Sequence, residues 1–476
     1  LNNKVNLFIK NFSYTLVSNL TSMLISILLV LIVPKIVGVK DYGYWQLYLF
    51  YSSYVGFLHF GWNDGIYLRY GGQHYNKLDK QLFFSQFWML AFFQIFIAVC
   101  AFILTAILVH DIQRIFIFEL TAVCMLLVNV RYFLIYVLQD TNRIKEYATI
   151  TFIERILYCF FILGFLVVGI KNFKLMVLAD ILGKLCSLFY AIYCCQDIVF
   201  RKFNNFKLNL QETYRNINVG IKLMFSNIAS ILIVGVIRYA IEKNWSVAVF
   251  GKISLTLSLS NFLLIFINAI GIVLFPVLKR INSDKLSSIY KNVRLLLMIL
   301  LLGLLMLYYP FKYLLSMWLP MYSSTLKFMI ILLPICIYEG KMSLLINTYL
   351  KTLRKEKTIL KVNLFSLILS LILAFFSAFY LKDLTFTVMS IVIVLAFRCN
   401  VSEFILCRFL NLSFKKDFLW ENIMTLIYIY LNWNFGLKLG LTTYFCIYLI
   451  YIFSKKKDVE KLIKKVKMYR AQENGV

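Results

Sequence analysis

The charged side chains that stand inside long apolar runs are the groups with which this chain could do chemistry. Arg131 and Arg398 lie deep in such runs, while Arg238, Lys252 and Lys222 lie nearer to the ends of theirs. A buried Arg has to face protein or water, so each of these cations either pairs with a carboxylate or meets an anion. Arg131 has Glu154 or Glu119 as a partner in reach, and Arg398 has Glu403. Asp180 and Lys184 are four residues apart, the spacing at which two side chains on one helix face neutralise each other. Glu339 and Lys341 are two apart and point in different directions on a helix, so one of them faces elsewhere. Asp64, flanked by Asn63 and Gly65 and five residues before Arg69, suits either a helix-end pairing or a gating or proton-linked role.

None of these arrangements is a catalytic or cofactor motif. Gly251-Lys252 does not close a phosphate-binding loop, because Ser246 stands where GxxxxGK[ST] requires its first glycine. His59, His74 and His110 are scattered, and the ten cysteines show no CxxC spacing. The cysteines therefore read as small core hydrophobes. No metal, cofactor or catalytic residue is expected, and the chain is not expected to be an enzyme.

The elements that must position these residues are membrane helices. Of the 476 residues, 61% are hydrophobic and 15% charged, whereas soluble domains hold roughly 45–50% apolar residues. The mean hydropathy is +0.79. Spans are expected at about 13–37, 44–68, 83–108, 115–138, 148–169, 173–195, 219–241, 248–276, 292–314, 324–347, 359–380 and 384–406. Residues 422–453, broken at Asn432, Asn434 and Gly436, suit a hairpin of two short helices or a re-entrant one. The predicted fold class is thus an all-α polytopic membrane protein with 12–14 spans. The polar segments between them are too short for an independent domain, which places the function inside the membrane.

A net charge of +28 would suggest nucleic acid in a soluble protein, but here position excludes that partner. Thirty Lys and Arg gather in alternate segments, against five in the others: Lys40, Arg114, Lys171, Lys243 and Lys382. Basic loops stay in the cytoplasm, so both termini are expected there. Lys4 and Lys10 precede an apolar run without a small-residue cleavage site, which reads as a retained first span. From Ser454 onward lysines alternate with Val459, Leu462, Ile463 and Val466 at helical spacing, as in a basic amphipathic helix resting on anionic membrane lipids.

An internal repeat organises the spans. At an offset of 208, residues 14–49 align with 222–257 without gaps and with ten identities, including Ser18 with Ser226, Asn19 with Asn227, Ser22 with Ser230 and Gly43 with Gly251. The recurring Ser-Asn pairs suit either close packing through small polar residues or contact with a sugar. Six spans per unit is an even number, so the two lobes share one orientation about an axis normal to the membrane, with a midplane cavity between them. The expected divisions are 1–217, 218–410, a helical hairpin at 411–453 and a basic tail at 454–476. Arg238 and Lys252 replace Val30 and Tyr44 of the first repeat, so the positive charge is expected to be asymmetric and on the C-terminal side.

Residues 31–72 carry Gly38-Val39-x-Asp41-Tyr42-Gly43-x-Trp45, then Phe60-Gly61-Trp62-Asn63-Asp64-Gly65, then Arg69-Tyr70-Gly71-Gly72. Weaker matches are Gln139-Asp140-Thr141-Asn142-Arg143, Phe250-Gly251-Lys252 and Leu274-Phe275-Pro276. This stretch resembles O-antigen and related polysaccharide repeat-unit flippases of the Wzx type, in the multidrug/oligosaccharidyl-lipid/polysaccharide exporter superfamily. The resemblance implies movement of an undecaprenyl-diphosphate-linked oligosaccharide from the inner to the outer leaflet of the bacterial inner membrane. It places spans 1, 2, 7 and 8 around the central cavity, where Lys222, Arg238 and Lys252 either face the cargo's diphosphate or snorkel to the headgroups. It also implies a polysaccharide polymerase and a chain-length regulator as partners. The chain departs from the multidrug branch in having no carboxylate in span 1. A glycosyltransferase or polymerase would need a long outer loop, and every outer loop here is short.

Overall fold

The computed structural model describes residues 2–202, 204, 206–262, 264, 283–413 and 415–473. Every regular element among them is helical. They include α1 (Asn2–Ile36), α2 (Val39–Ser52), α3 (Trp62–Tyr70), α4 (Lys80–Leu108), α5 (Ile112–Asp140), α6 (Ile144–Val167), α7 (Phe173–Cys194), α8 (Gln196–Val199), α9 (Leu210–Asn244) and α10 (Val247–Ser260). Local sequence starts several of them, since helix N-termini leave backbone N–H groups to be capped. Asp79, Asp111 and Asn172 accept hydrogen bonds from the first-turn N–H groups of α4, α5 and α7, and Asp383 does so for helix Leu384–Phe409.

Ten helices among the described residues are long and apolar enough to cross a membrane, and the protein is an all-α polytopic membrane protein. Expected span 2 is divided. It consists of α2 and α3 joined by a 3-10 turn at Val55–Phe57, with Phe60 and Gly61 in left-handed backbone at φ 53° and 83°. The signal was present in the sequence, because Gly56 and Gly61 interrupt an otherwise helical pattern. The latter part of span 8, with Leu274-Phe275-Pro276, lies outside the described residues. The C-terminal part holds helices Lys415–Asn434 and Leu437–Glu473, and the second runs through Ser454 without a break.

The chain forms two compact units, residues 1–228 with 245–252, and residues 229–244 with 253–476. Within the first, glycines let helix backbones touch, as small residues do in membrane interfaces. The repeat-matched Gly43 and Gly251 meet each other, and a Cβ on Gly251 would fall 2.6 Å from the Gly43 Cα. On Gly220 it would fall 2.0 Å from the Gly61 carbonyl oxygen, and on Gly65 1.9 Å from that of Asn216. Gly220→Val should therefore push α3 and α9 apart, at about 1–3 kcal/mol for overpacking. Thermal unfolding in detergent should show a clear drop, with Gly164→Ala, which meets nothing within 4 Å, unchanged. Equal melting temperatures would mean that this crossing is loose.

Loops at one end of the first unit are tied together. The Tyr75 hydroxyl donates to Asp197 Oδ1 at 2.5 Å, Lys80 pairs with the same carboxylate, and Arg143 lies 4.6 Å over the Tyr75 ring. Burial opposes ionisation of Asp197, but the hydrogen bonds from Lys80 and Tyr75 outweigh it and hold the carboxyl below its usual range.

Candidate functional site

In the first unit, three helices bring charged side chains together. Arg131 on α5 is 3% exposed and donates to Glu154 Oε2 on α6 and to Ser187 Oγ on α7, both at 2.6 Å. On α7, Lys184 pairs with Asp180, which also accepts from the Tyr48 hydroxyl of α2 at 2.5 Å. Arg155, next to Glu154 on α6, is half-buried and electrostatically coupled to Glu154 and Asp180. Its guanidinium makes no hydrogen bond or ion pair among the described residues. The cluster thus holds three cations, Arg131, Arg155 and Lys184, against two carboxylates, Glu154 and Asp180. Arg155 stands about 17 Å along α6 from Ile144, at ~1.5 Å per residue, near the helix midpoint. An excess charge at that depth requires water or an anion.

Tyrosines from three helices gather beside it. The rings of Tyr132 and Tyr136 on α5 are stacked, 6.0 Å apart with an interplanar angle of 12°, and Tyr67 of α3 packs 5.3 Å from Tyr136. Tyr147 of α6 lies beside Tyr132 and Tyr67. A Cβ on Gly56 would come 3.3 Å from the Tyr132 ring, so the glycine makes room for it. Asp64 is 7% exposed, lies near Tyr136, and has His59 Nε2 at 3.7 Å.

In the second unit the buried cations Arg294, Lys341 and Arg398 are paired with carboxylates. Arg398 is 5% exposed and donates to Glu339 Oε1 at 2.7 Å, Asn363 Oδ1 at 2.9 Å and Ser230 Oγ at 2.9 Å. Its carboxylate partner is thus Glu339 and not the expected Glu403. Glu339 keeps part of its side chain open, and Lys341 turns the other way. Glu403 instead joins a buried quartet with Arg294, Lys341 and Glu421, in which Arg294 binds both carboxylates at 2.7 Å and Lys341 lies 2.7 Å from Glu421 and also pairs with Glu403. The quartet bonds helix Lys415–Asn434 to helices Ser283–Leu304 and Leu384–Phe409. Arg238, half-buried, donates to Ser254 Oγ at 3.1 Å.

The remaining expected residues divide by exposure. Lys222, Asn19 and Asn227 are exposed, Lys252 and Ser226 are half-buried, and Ser18 is buried with its hydroxyl donating to the Ala148 carbonyl at 3.2 Å. Ser18 therefore packs α1 on α6. Sequence reasoning passed over Arg155, Arg294 and Glu421. The available signal for Arg155 was its place at the centre of an apolar run beside Glu154, one residue off the ion-pairing face. Among the described residues, no group of three or more His, Cys, Asp or Glu side chains is placed to hold a metal ion.

No family model matches the chain, and no curated protein matches it in sequence. Solved structures do. The lipid II flippase MurJ in an inward closed conformation is 13% identical, with 95% of this chain and 99% of that one covered and a TM-score of 0.61. A multidrug resistance MATE family transporter of the MOP superfamily is 12% identical in its inward-facing conformation, covering 86% and 98% at a TM-score of 0.55. An outward-facing structure of such a transporter is 13% identical, covering 88% and 96% at 0.51. The chain has the fold of MOP superfamily membrane transporters.

Proposed function

We propose that the protein is a flippase that carries a diphosphate-linked oligosaccharide, a surface-polysaccharide or O-antigen repeat unit on undecaprenol, from the inner to the outer leaflet of the bacterial inner membrane. The observation that carries this reading is the excess of one cation in the cluster of Arg131, Arg155 and Lys184 with Glu154 and Asp180, near the middle of a membrane helix, in a fold shared with a lipid II flippase. A diphosphate brings about two negative charges that cannot cross hydrocarbon unpaired, since even one central charge costs several kcal/mol. A cation cargo would be repelled by the same group, which disfavours a drug/cation antiporter. Transport by alternating exposure of fixed binding groups needs no catalytic residue, and ion pairs that form and break between two states supply a bistable element. In this reading both termini are cytoplasmic, the chain works as two six-helix lobes with a C-terminal hairpin, and Arg238, Lys252, Lys222, Arg131 and Arg398 are its further cationic groups. Asp64 and Glu339 then serve gating or coupling, and a polysaccharide polymerase and chain-length regulator act on the product side.

Deleting the gene from its own host tests this. Lipid-linked oligosaccharide should accumulate and surface polysaccharide should be lost, and the wild-type chain should restore both. The Arg238→Ala, Lys252→Ala double variant should fail to restore them at normal abundance, with Arg238→Lys milder than Arg238→Ala. Unchanged surface polysaccharide on deletion ends the flippase reading. Full restoration by the double variant means that these two residues only reach the headgroups.

A further inference from the structure

We infer that Tyr132 and Tyr136, with Tyr67 and Tyr147 beside them, form a stacking platform for the first sugars of the cargo. This rests on the transport reading above and names the part of the cargo that the first unit holds. Tyrosine in membrane proteins commonly marks the interfacial belt, where one ring after another faces lipid. These four do not have that arrangement. They come from α3, α5 and α6 and converge on one another within the unit. Yet Tyr132, Tyr136 and Tyr147 remain half-exposed and Tyr67 is exposed, so they border open space. Tyr132 lies about 12 Å along α5 from Asp140.

The parallel pair offers a flat π-face with hydroxyls at its edge. A pyranose presents the complement: a face of C–H groups, which packs on aromatic rings, and a rim of hydroxyls. Stacking on a ring face tolerates many sugars, whereas specificity needs fixed polar partners. The order along the unit also fits. Arg155 is deepest and lies close to Tyr132, then come Tyr136 and Tyr67, and Tyr147 stands about 5 Å from the start of α6. A diphosphate at Arg155 therefore sets its attached sugars against Tyr132 and Tyr136. Arg131, whose guanidinium carbon lies 5.8 Å from the centroid of the Tyr132 ring, is engaged by Glu154.

The test compares ligands with and without sugar. Purified protein in nanodiscs is titrated with farnesyl diphosphate and with farnesyl-diphosphate-linked N-acetylglucosamine, N-acetylgalactosamine, glucose or galactose. At least one glycosylated ligand should bind the wild type about tenfold more tightly than farnesyl diphosphate, the gain expected for a single stacked ring of about 1–1.5 kcal/mol. Tyr132→Ala with Tyr136→Ala should remove that gain and leave farnesyl diphosphate binding within twofold, which also shows that the variant is folded. Tyr132→Phe with Tyr136→Phe should keep most of it. A wild type that binds farnesyl diphosphate but gains nothing from any sugar overturns the platform and leaves the flippase reading standing. A wild type that binds none of the ligands overturns both. Equal weakening of all ligands in the Ala variant assigns the tyrosines a structural role and also overturns the platform.

Discussion

Replacing Glu403 by Ala should remove most of the protein from the membrane. Glu403 is 2% exposed and, with Glu421, compensates Arg294 and Lys341, which are equally buried. The Tyr290 hydroxyl also donates to it at 3.0 Å. Removing one carboxylate leaves two buried cations on Glu421 and on the more open Asp417, 3.8 Å from Arg294, and breaking a buried pair from one side costs about 3–5 kcal/mol. Whole domains are stable by only about 5–15 kcal/mol, so steady-state abundance should fall severalfold or more. The variant that isolates charge balance is Glu403→Gln combined with Lys341→Met, which leaves Arg294 with Glu421. It should recover at least half of the lost abundance, while Glu403→Gln alone should not. Quantitative blotting of membranes and thermal unfolding in detergent read the result. Wild-type abundance and melting temperature in Glu403→Ala would mean that water reaches the quartet.

Arg155→Ala should do the opposite: leave abundance intact and abolish transport. Its guanidinium forms no ion pair among the described residues and is half-buried, so truncation strands no partner. The cluster's charge then falls to balance, with Arg131 and Lys184 matched by Glu154 and Asp180. The lost group is the one left over to meet a diphosphate near the helix midpoint. Charge-assisted hydrogen bonds contribute about 1.5–3 kcal/mol each, so transport should fall at least tenfold. Arg155→Lys keeps the charge without the planar fork and should be intermediate, and Arg155→Glu should be no better than Ala. Arg131→Ala is the contrast, because it removes buried hydrogen bonds to Glu154 and Ser187 and should lose abundance first. Normal surface polysaccharide with Arg155→Ala at wild-type level would mean that water alone satisfies the excess charge.

The two experiments separate ion pairs that build the fold from a cation that is left for cargo. The same distinction governs Arg131 and Arg398, which the sequence marks only as deep cations. Both are engaged in the structure, Arg131 by Glu154 and Arg398 by Glu339. Glu339 is the more open carboxylate of the two pairs, so the Arg398 pair is the more accessible to solvent and to a competing anion.

Composition by itself determined that this chain lives in a membrane, because no soluble core could bury so much apolar surface. Contacts within one helix were legible too: Asp180 and Lys184 pair as their spacing requires, since i and i+4 share a face whatever the helix packs against. The repeat-matched Gly43 and Gly251 were visible as a pattern, and the structure shows the reason, which is that their backbones touch. Partner choice between helices was a different matter. Glu403 is only five residues from Arg398 on the same helix, yet it faces Arg294 and Lys341, and Arg398 reaches Glu339 and Ser230 instead. Rotation and depth of neighbouring helices decide such pairs, and those follow from packing many side chains at once. Arg155 makes the same point. It too is a deep cation, but one residue along α6 turns Glu154 toward Arg131 and leaves Arg155 without an ion pair of its own among the described residues.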